Sequence, residues 1–296
     1  VGSPPDPAAG PVSGPASGTL RIALLGPLEV TRGSARVRLG SVRRRLLLAR
    51  LALTPNVPVG REELLDLLWG RAAPAAMSLL HTQVSRLRRI FGTGPRDPQQ
   101  ITLEPGGYRL GVEQEHLDLL EFRGRIALGR RLTGADPQRA FQAYFEAQGM
   151  FRSGRPAEDL LELREDPLVT VVLDETVDAA VELADLGEIL DRQPEVLPIL
   201  RRLTAQHPWH EALHARLISA LATTGQQAPA LEAYERIRSR LAEELGIDPG
   251  PELTEARQAV LEQRSRAPHR TPGAGAPRLG ARRDQSRPAS MMRARN

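Results

Sequence analysis

The 296-residue chain has no cysteine, which removes disulfides, thiolate metal sites and a cysteine nucleophile together. That fits a reducing compartment. Aromatic residues make up only 3% of it, so aliphatic Leu, Val and Ala must fill the core that the 41% apolar content supplies. No apolar span of about 18 residues and no secretory apolar segment is present. The expectation is a soluble, cytoplasmic protein without a membrane partner. Lysine is missing as well: all forty basic residues are arginine. The abundance of Ala, Gly, Pro and Leu alongside them is what a GC-rich coding bias produces.

The net charge of +4 conceals an asymmetry. Residues 1–115 hold 15 Arg against nine acids, residues 116–263 hold 16 against 26, and residues 264–296 hold nine against one. A basic segment joined to an acidic one points to a polyanion at one end and a protein partner at the other. The length suggests about two domains.

Residues 1–18 read as a disordered arm and 264–296 as a disordered basic tail, both rich in turn-forming and polar residues. Between them the pattern changes once. The run LRIALLGPLEV (20–30), broken by Gly26-Pro27, reads as short strands, and Gly33-Ser34 as the turn of a hairpin. Three helices follow: VRRRLLLARLAL (42–53), stopped by TPNVP; REELLDLLW (61–69), with acids in its first turn; and AAMSLLHTQVSRLRRIF (75–91), between Pro74 and Gly92. After the loop GTGPRDPQQ, the segment ITLEPGGYRLGV reads as a second hairpin turning at Pro105-Gly106-Gly107. From His116 helix follows helix. Leu197, Leu200 and Leu203 recur 34 residues later as Leu231, Tyr234 and Ile237, the period of tetratricopeptide helix pairs. Ala140, Phe141, Ala143 and Tyr144 are echoed by Ala230, Leu231, Ala233 and Tyr234. Pro198 sits awkwardly in one of these helices. The expected architecture is an α+β winged helix-turn-helix (19–115) followed by an all-α, tetratricopeptide-like domain (116–263).

The third helix carries the most chemistry. Leu80, Val84, Leu87 and Phe91 make one apolar stripe. The opposite face presents Ser78, Thr82, Ser85, Arg86 and Arg89, with His81 and Arg88 on its flanks. Such a helix can pack on two others while its polar face enters a major groove, where Arg bonds guanine O6 and N7 bidentately. Gly106 and Gly107 permit a tight wing turn and close approach to a sugar–phosphate backbone. Arg109 can then reach phosphates, and Tyr108 can pack or bond a phosphate beside it. Arg43, Arg44 and Arg45 at the start of the first helix are further phosphate candidates, of which at most two can face DNA. A solvated basic turn would read the same way.

These segments resemble a known family. VRRRLLLARLAL, REELLDLLW, TQVSRLRRIF and PGGYRL look like an OmpR-type winged helix, and an all-helical domain ending in EELGIDPGPEL (243–253) resembles the Streptomyces antibiotic regulatory protein family. The resemblance covers about residues 20–263. It implies a transcription activator whose winged helix binds direct repeats in double-stranded promoter DNA upstream of biosynthetic genes. Its helical domain would contact RNA polymerase holoenzyme, including the sigma factor, and a second protomer can sit beside the first on tandem half-sites. Carried over by position, Arg86 matches a base-reading arginine, His81, Thr82 and Ser85 fall on neighbouring groove-facing positions, and Arg109 matches a wing contact; Arg89, on the same polar face of the helix, is a further backbone candidate. Two residues depart from the pattern: Arg44 stands where many relatives have Gln, and Phe151 replaces a frequent Trp. Neither a receiver domain nor a nucleotide-binding motif flanks the two domains, so activity is expected to follow protein level, a partner or a ligand.

One motif points elsewhere. His210-Glu211-Ala212-Leu213-His214 has the H-E-x-x-H spacing of zinc peptidases. No HxxGxxH continuation follows, and Glu232 and Glu235 are third-ligand candidates only by their distance along an acid-rich segment. The expected reading is helix-surface histidines beside a packing stripe of Trp209, Leu213, Leu217 and Leu221, without metal, cofactor or catalytic site. GTGP lacks the Gly-Lys-Ser/Thr of a phosphate loop, and no G-x-S-x-G elbow occurs. The rival to DNA-directed activation is a helical scaffold for protein interaction with only weak DNA affinity.

Overall fold

The computed structural model describes residues 19–70, 76–92 and 100–266. Strands β1 (Leu20–Ala23), β2 (Glu29–Arg32) and β3 (Ala35–Arg36) form an antiparallel sheet in that order, Leu20 pairing with Arg32 and Thr31 with Arg36. Gly33, at φ +56°, turns the hairpin. Helices α1 (Val42–Leu53), α2 (Arg61–Trp69) and α3 (Ala76–Phe91) follow, then the hairpin β4 (Gln100–Glu104) and β5 (Gly107–Gly111). Ser41 caps α1 by accepting from the Arg44 N–H, and Gly70 closes α2 with its N–H on the Asp66 carbonyl. Ala75, the expected first residue of the third helix, and Pro74 before it lie outside the described residues, as do most of the loop after Gly92, the arm 1–18 and the tail from 267 on. The last helix runs to Arg266, so residues 264–266, expected in the tail, form its final turn.

Helix α1 is buried on all sides from Leu46 to Leu53, Arg50 included. A surface helix would bury one stripe. α1 is enclosed because it lies between the other elements of the winged helix and the helical domain, and Arg50 is answered from both: its guanidinium pairs with Glu63 of α2 and lies 3.9 Å from Asp166.

The second domain comprises α4 (Asp118–Leu132), α5 (Pro137–Gly149), α6 (Pro167–Ile189), α7 (Gln193–Gln206), α8 (Glu211–Thr223), α9 (Gln227–Arg240) and α10 (Pro251–Arg266). α7 and α9 begin and end 34 residues apart, and Leu200, Leu203, Tyr234 and Ile237 are all buried. Gly129 admits the Tyr144 ring between α4 and α5, where a Cβ would sit 2.7 Å from that ring. Pro198 is accommodated inside α7 because it and Pro194, whose carbonyl it leaves unbonded, lie on the exposed side.

The halves join through the loop Leu24–Leu28. The Leu24 and Leu25 N–H groups donate to the Asp118 carboxylate at 2.7–2.9 Å, and the Leu28 N–H donates to Asp159 Oδ1 at 2.7 Å. In return the Leu24 and Leu25 carbonyls accept from the Ala157 and Arg152 N–H groups, both at 2.9 Å. Burial raises the Asp118 pKa, while the bonds from Leu24 and Leu25 and the nearby Arg152 pull it down.

Candidate nucleic-acid interface

The polar face of α3 exists because its other face is anchored. Leu80, Val84, Leu87 and Phe91 are 0–3% exposed, each contributing roughly 1.5–3 kcal/mol of burial. The C-terminal end of α3 is held by Arg32, whose guanidinium donates to the Ile90 carbonyl at 2.9 Å and the Phe91 carbonyl at 3.3 Å, completing the negative end of the helix dipole. Arg88 extends the attachment, donating from Nε to the Ile101 carbonyl of β4 at 2.7 Å.

His81, Thr82, Ser85, Arg86 and Arg89 are therefore brought out together on the exposed side of α3, which contains no acidic residue. Thr82 donates its hydroxyl back to the Ser78 carbonyl at 2.9 Å, leaving its oxygen as an acceptor. Arg86 stands close enough to Arg44 to repel it, adding to the burial that lowers the Arg44 pKa.

The wing residues occupy different environments. The Arg109 guanidinium is half-buried and paired across the hairpin with Glu104. Tyr108, expected either to pack or to bond a phosphate, packs: it is 3% exposed and lies edge-on against His81 with ring centroids 6.4 Å apart. Burial raises its pKa, against Arg88 and Arg61 nearby. Gly107, at φ +136°, is buried too: a Cβ there would lie 1.8 Å from the Val59 carbonyl oxygen. Its close approach is thus to the loop before α2 rather than to a sugar–phosphate backbone. The Val59 and Tyr108 backbones bond reciprocally at 2.8 and 2.9 Å. Gly107 and Tyr108 hold the wing in place.

The arginines of α1 are also engaged. Arg43 donates to the Leu68 carbonyl at 3.1 Å and lies over the Trp69 ring. Arg44 turns back to the Leu39 carbonyl, and Arg45 pairs with Asp159 of the helical domain.

Asn56 gave no signal in the sequence beyond its place in a turn. At φ +64° it pairs its amide reciprocally with Val112, both bonds 3.0 Å, tying the α1–α2 loop to the strand end behind the wing. Asp118 and Asp159 were equally silent, since their partners lie 94 and 131 residues away.

The H-E-x-x-H residues are split up by the fold. His210 precedes α8 as its N-cap instead of opening its first turn, with Nδ1 accepting from the Leu213 N–H at 3.3 Å. Trp209, expected in the packing stripe, is half-exposed and donates to Glu244 at 3.0 Å. His214, expected on the surface, is buried. Among the described residues the His/carboxylate group with metal-compatible spacing is Glu113, Glu115 and His116.

Comparison with known proteins agrees with this geometry. Residues 35–110 match the family described as "Transcriptional regulatory protein, C terminal", and residues 117–261 match the "Bacterial transcriptional activator domain". The chain is 31% identical over 261 residues to the regulatory protein DnrI of Streptomyces peucetius, covering 82% of this chain and 92% of that protein. It is 32% identical over 247 residues to the transcriptional regulatory protein EmbR of Mycobacterium tuberculosis, covering 82% of this chain but 64% of EmbR. The regulatory protein AfsR of Streptomyces coelicolor is 30% identical over 255 residues, which are 24% of its length. The solved structure of Mycobacterium tuberculosis EmbR in complex with a low-affinity phosphopeptide superposes with a TM-score of 0.72, covering 82% of this chain and 65% of that one. With an OmpR-type DNA-binding domain joined to a bacterial transcriptional activator domain, the chain belongs to the Streptomyces antibiotic regulatory protein family of transcriptional regulators.

Proposed function

We propose that the protein activates transcription from biosynthetic, secondary-metabolite promoters by binding direct repeats upstream of them and recruiting RNA polymerase holoenzyme through its helical domain, sigma factor included. The observation that carries the reading is the acid-free face of α3, with Arg86, Ser85, Thr82, His81 and Arg89 exposed on a helix whose other face is locked into the core. Arg86 reads a guanine, Thr82, Ser85 and His81 contact neighbouring base edges, and Arg89 takes a phosphate. Arg109 reaches the backbone by exchanging Glu104 for phosphate. Arg43 and Arg44 serve only if they leave the Leu68 and Leu39 carbonyls. Two protomers fill tandem half-sites side by side. The protein acts in the cytoplasm, at the nucleoid when bound, and needs no cofactor.

A gel-shift on upstream DNA, competed with random duplex, tests the reading. Arg86→Ala should cost about 1–3 kcal/mol on the specific site and much less on random DNA. Equal losses on both would remove its base-reading role, and equal affinity of the wild type for both would favour a protein-interaction scaffold.

A further inference from the structure

His214 is the residue of the H-E-x-x-H stretch without a structural task at one end of its ring. It is 9% exposed, and its Nε2 is buried with no hydrogen-bond partner. Buried polar atoms are almost always bonded, so this one needs a reason. His214 lines a cleft of about 460 Å³ between α7, α8 and α9, a size that suits a small molecule. Leu217, Leu221 and Ile237 give the cleft an apolar wall, while Arg201, Arg236 and Arg240 bring three guanidiniums against one acid, Glu232. Among the described residues Arg236 has no ion-pair partner, Arg201 donates to the neutral Gln226 side chain at 3.2 Å, and Arg240 lies 3.3 Å from Glu244.

Burial lowers the His214 pKa to about 4; a bond to the Pro208 carbonyl resists this, and Arg240, His210 and Arg236 reinforce it. The imidazole is therefore neutral near pH 7. Its one ring N–H is committed to Pro208, which leaves Nε2 as a bare lone pair among cations. The group that satisfies both features is an anion carrying its own proton. At pH 6, where His214 is still neutral, a phosphomonoester with a second pKa near 6 keeps that proton in about half its molecules; a carboxylate, ionised well below that pH, does not.

We propose that this cleft is a binding site for a small phosphomonoester with an apolar body: phosphate oxygens on Arg201, Arg236 and Arg240, the apolar part against Leu217, Leu221 and Ile237, and the P–OH donating to His214 Nε2 once the side chains that close over that atom turn aside. Guanidiniums bind phosphate with charge-assisted, often bidentate hydrogen bonds.

The experiment is isothermal titration calorimetry of the full chain at pH 6 with phenyl phosphate, benzoate, inorganic phosphate and an acidic peptide, with imidazole NMR of His214. Phenyl phosphate should saturate and bind at least tenfold more tightly than benzoate, which lacks the proton, and than inorganic phosphate, which lacks the apolar body. Its binding should shift the His214 resonances. Arg236→Gln, on the exposed rim, should weaken it at least tenfold, and His214→Phe should abolish the preference over benzoate; circular dichroism verifies that both variants fold. No saturation, equal binding of all three small probes, tighter binding of the acidic peptide, or indifference to Arg236→Gln would overturn the site.

Discussion

At the scale of single residues, the decisive question for each arginine is what its guanidinium already holds. Arg109 pairs with the Glu104 carboxylate, so the proposed DNA contact would cost it an ion pair of the half-exposed kind, worth about 0–1 kcal/mol. A phosphate contact that releases counterions easily replaces that. Arg109→Ala should therefore weaken binding across sequences and reduce the log–log salt slope by about one. Glu104→Gln should do the reverse, strengthening binding at low salt. If gel-shifts at several salt concentrations give one slope for all three proteins, Arg109 makes no phosphate contact. His214 makes a different prediction, on stability. Its pKa falls from 6.5 to about 4 on folding, chiefly through burial, so between those values the unfolded chain binds a proton that the folded chain refuses. Stability from this group is complete above about pH 6.5 and is lost as pH falls toward 4. Denaturant unfolding from pH 7 to 4 should decline less steeply in His214→Phe than in the wild type. The two curves staying parallel would show that His214 does not titrate between the folded and unfolded states.

At the scale of elements, local pattern was a good guide wherever one face of one helix decided the outcome. α1 and α2 start and end where apolar periodicity, the proline stop and the Gly70 cap placed them, because those signals act within a turn or two of the chain. The 34-residue recurrence of Leu197, Leu200 and Leu203 likewise survives as α7 and α9, equal in length and register. The wing was legible as a hairpin, but the reason for its glycine was not. The pattern Gly106-Gly107 points to a tight turn with positive φ, which Gly107 has, and to close approach of a sugar–phosphate backbone, whereas the space Gly107 leaves is filled by the Val59 carbonyl of a loop nearly fifty residues earlier. A local pattern cannot say which distant backbone will come close. Gly107→Ala would force either that carbonyl or β5 to move and would put a Cβ at φ +136°. Overpacking and backbone strain of this kind each cost about 1–3 kcal/mol, and the reciprocal bonds between Val59 and Tyr108 would loosen with them. Thermal melts should show a clear loss of stability, and proteolysis should cut sooner near the wing. A variant as stable as the wild type would mean that the wing packs differently in solution.

At the scale of the whole molecule, the halves share one polar ledger at the loop Leu24–Leu28. Leu24 and Leu25 are fully buried, yet the loop's own sheet bonds neither their N–H groups nor their carbonyls. Those groups are satisfied from the helical domain, by Asp118, Arg152 and Ala157, while Asp159 takes the Leu28 N–H and pairs with Arg45 of α1. Ile22 and Leu117 add a backbone bridge, and Gly26 at φ +141° lets Arg152 come within 3.1 Å of where a Cβ would stand. None of this could be read from the charge asymmetry, which points only to a polyanion at one end and a protein partner at the other. Buried donors without acceptors cost about 1–3 kcal/mol each, so separating the halves orphans several such groups and exposes two leucines. The halves should therefore melt as one unit. Burial of the Asp118 charge raises its pKa despite its bonds, so its net stabilisation is small while the cost of deleting it is large, as for any buried charge holding oriented donors. Asp118→Ala leaves the Leu24 and Leu25 N–H groups without their acceptor. Calorimetry should find one transition for the wild type and a lower, broadened or split one for Asp118→Ala. It should also find residues 19–115 alone less stable than the same residues within the full chain. Two separate transitions in the wild type, or a variant with an unchanged melt, would show that the recognition helix and the helical domain are not mechanically joined, and that contacts made by the helical domain cannot reorient α3 on DNA through this junction.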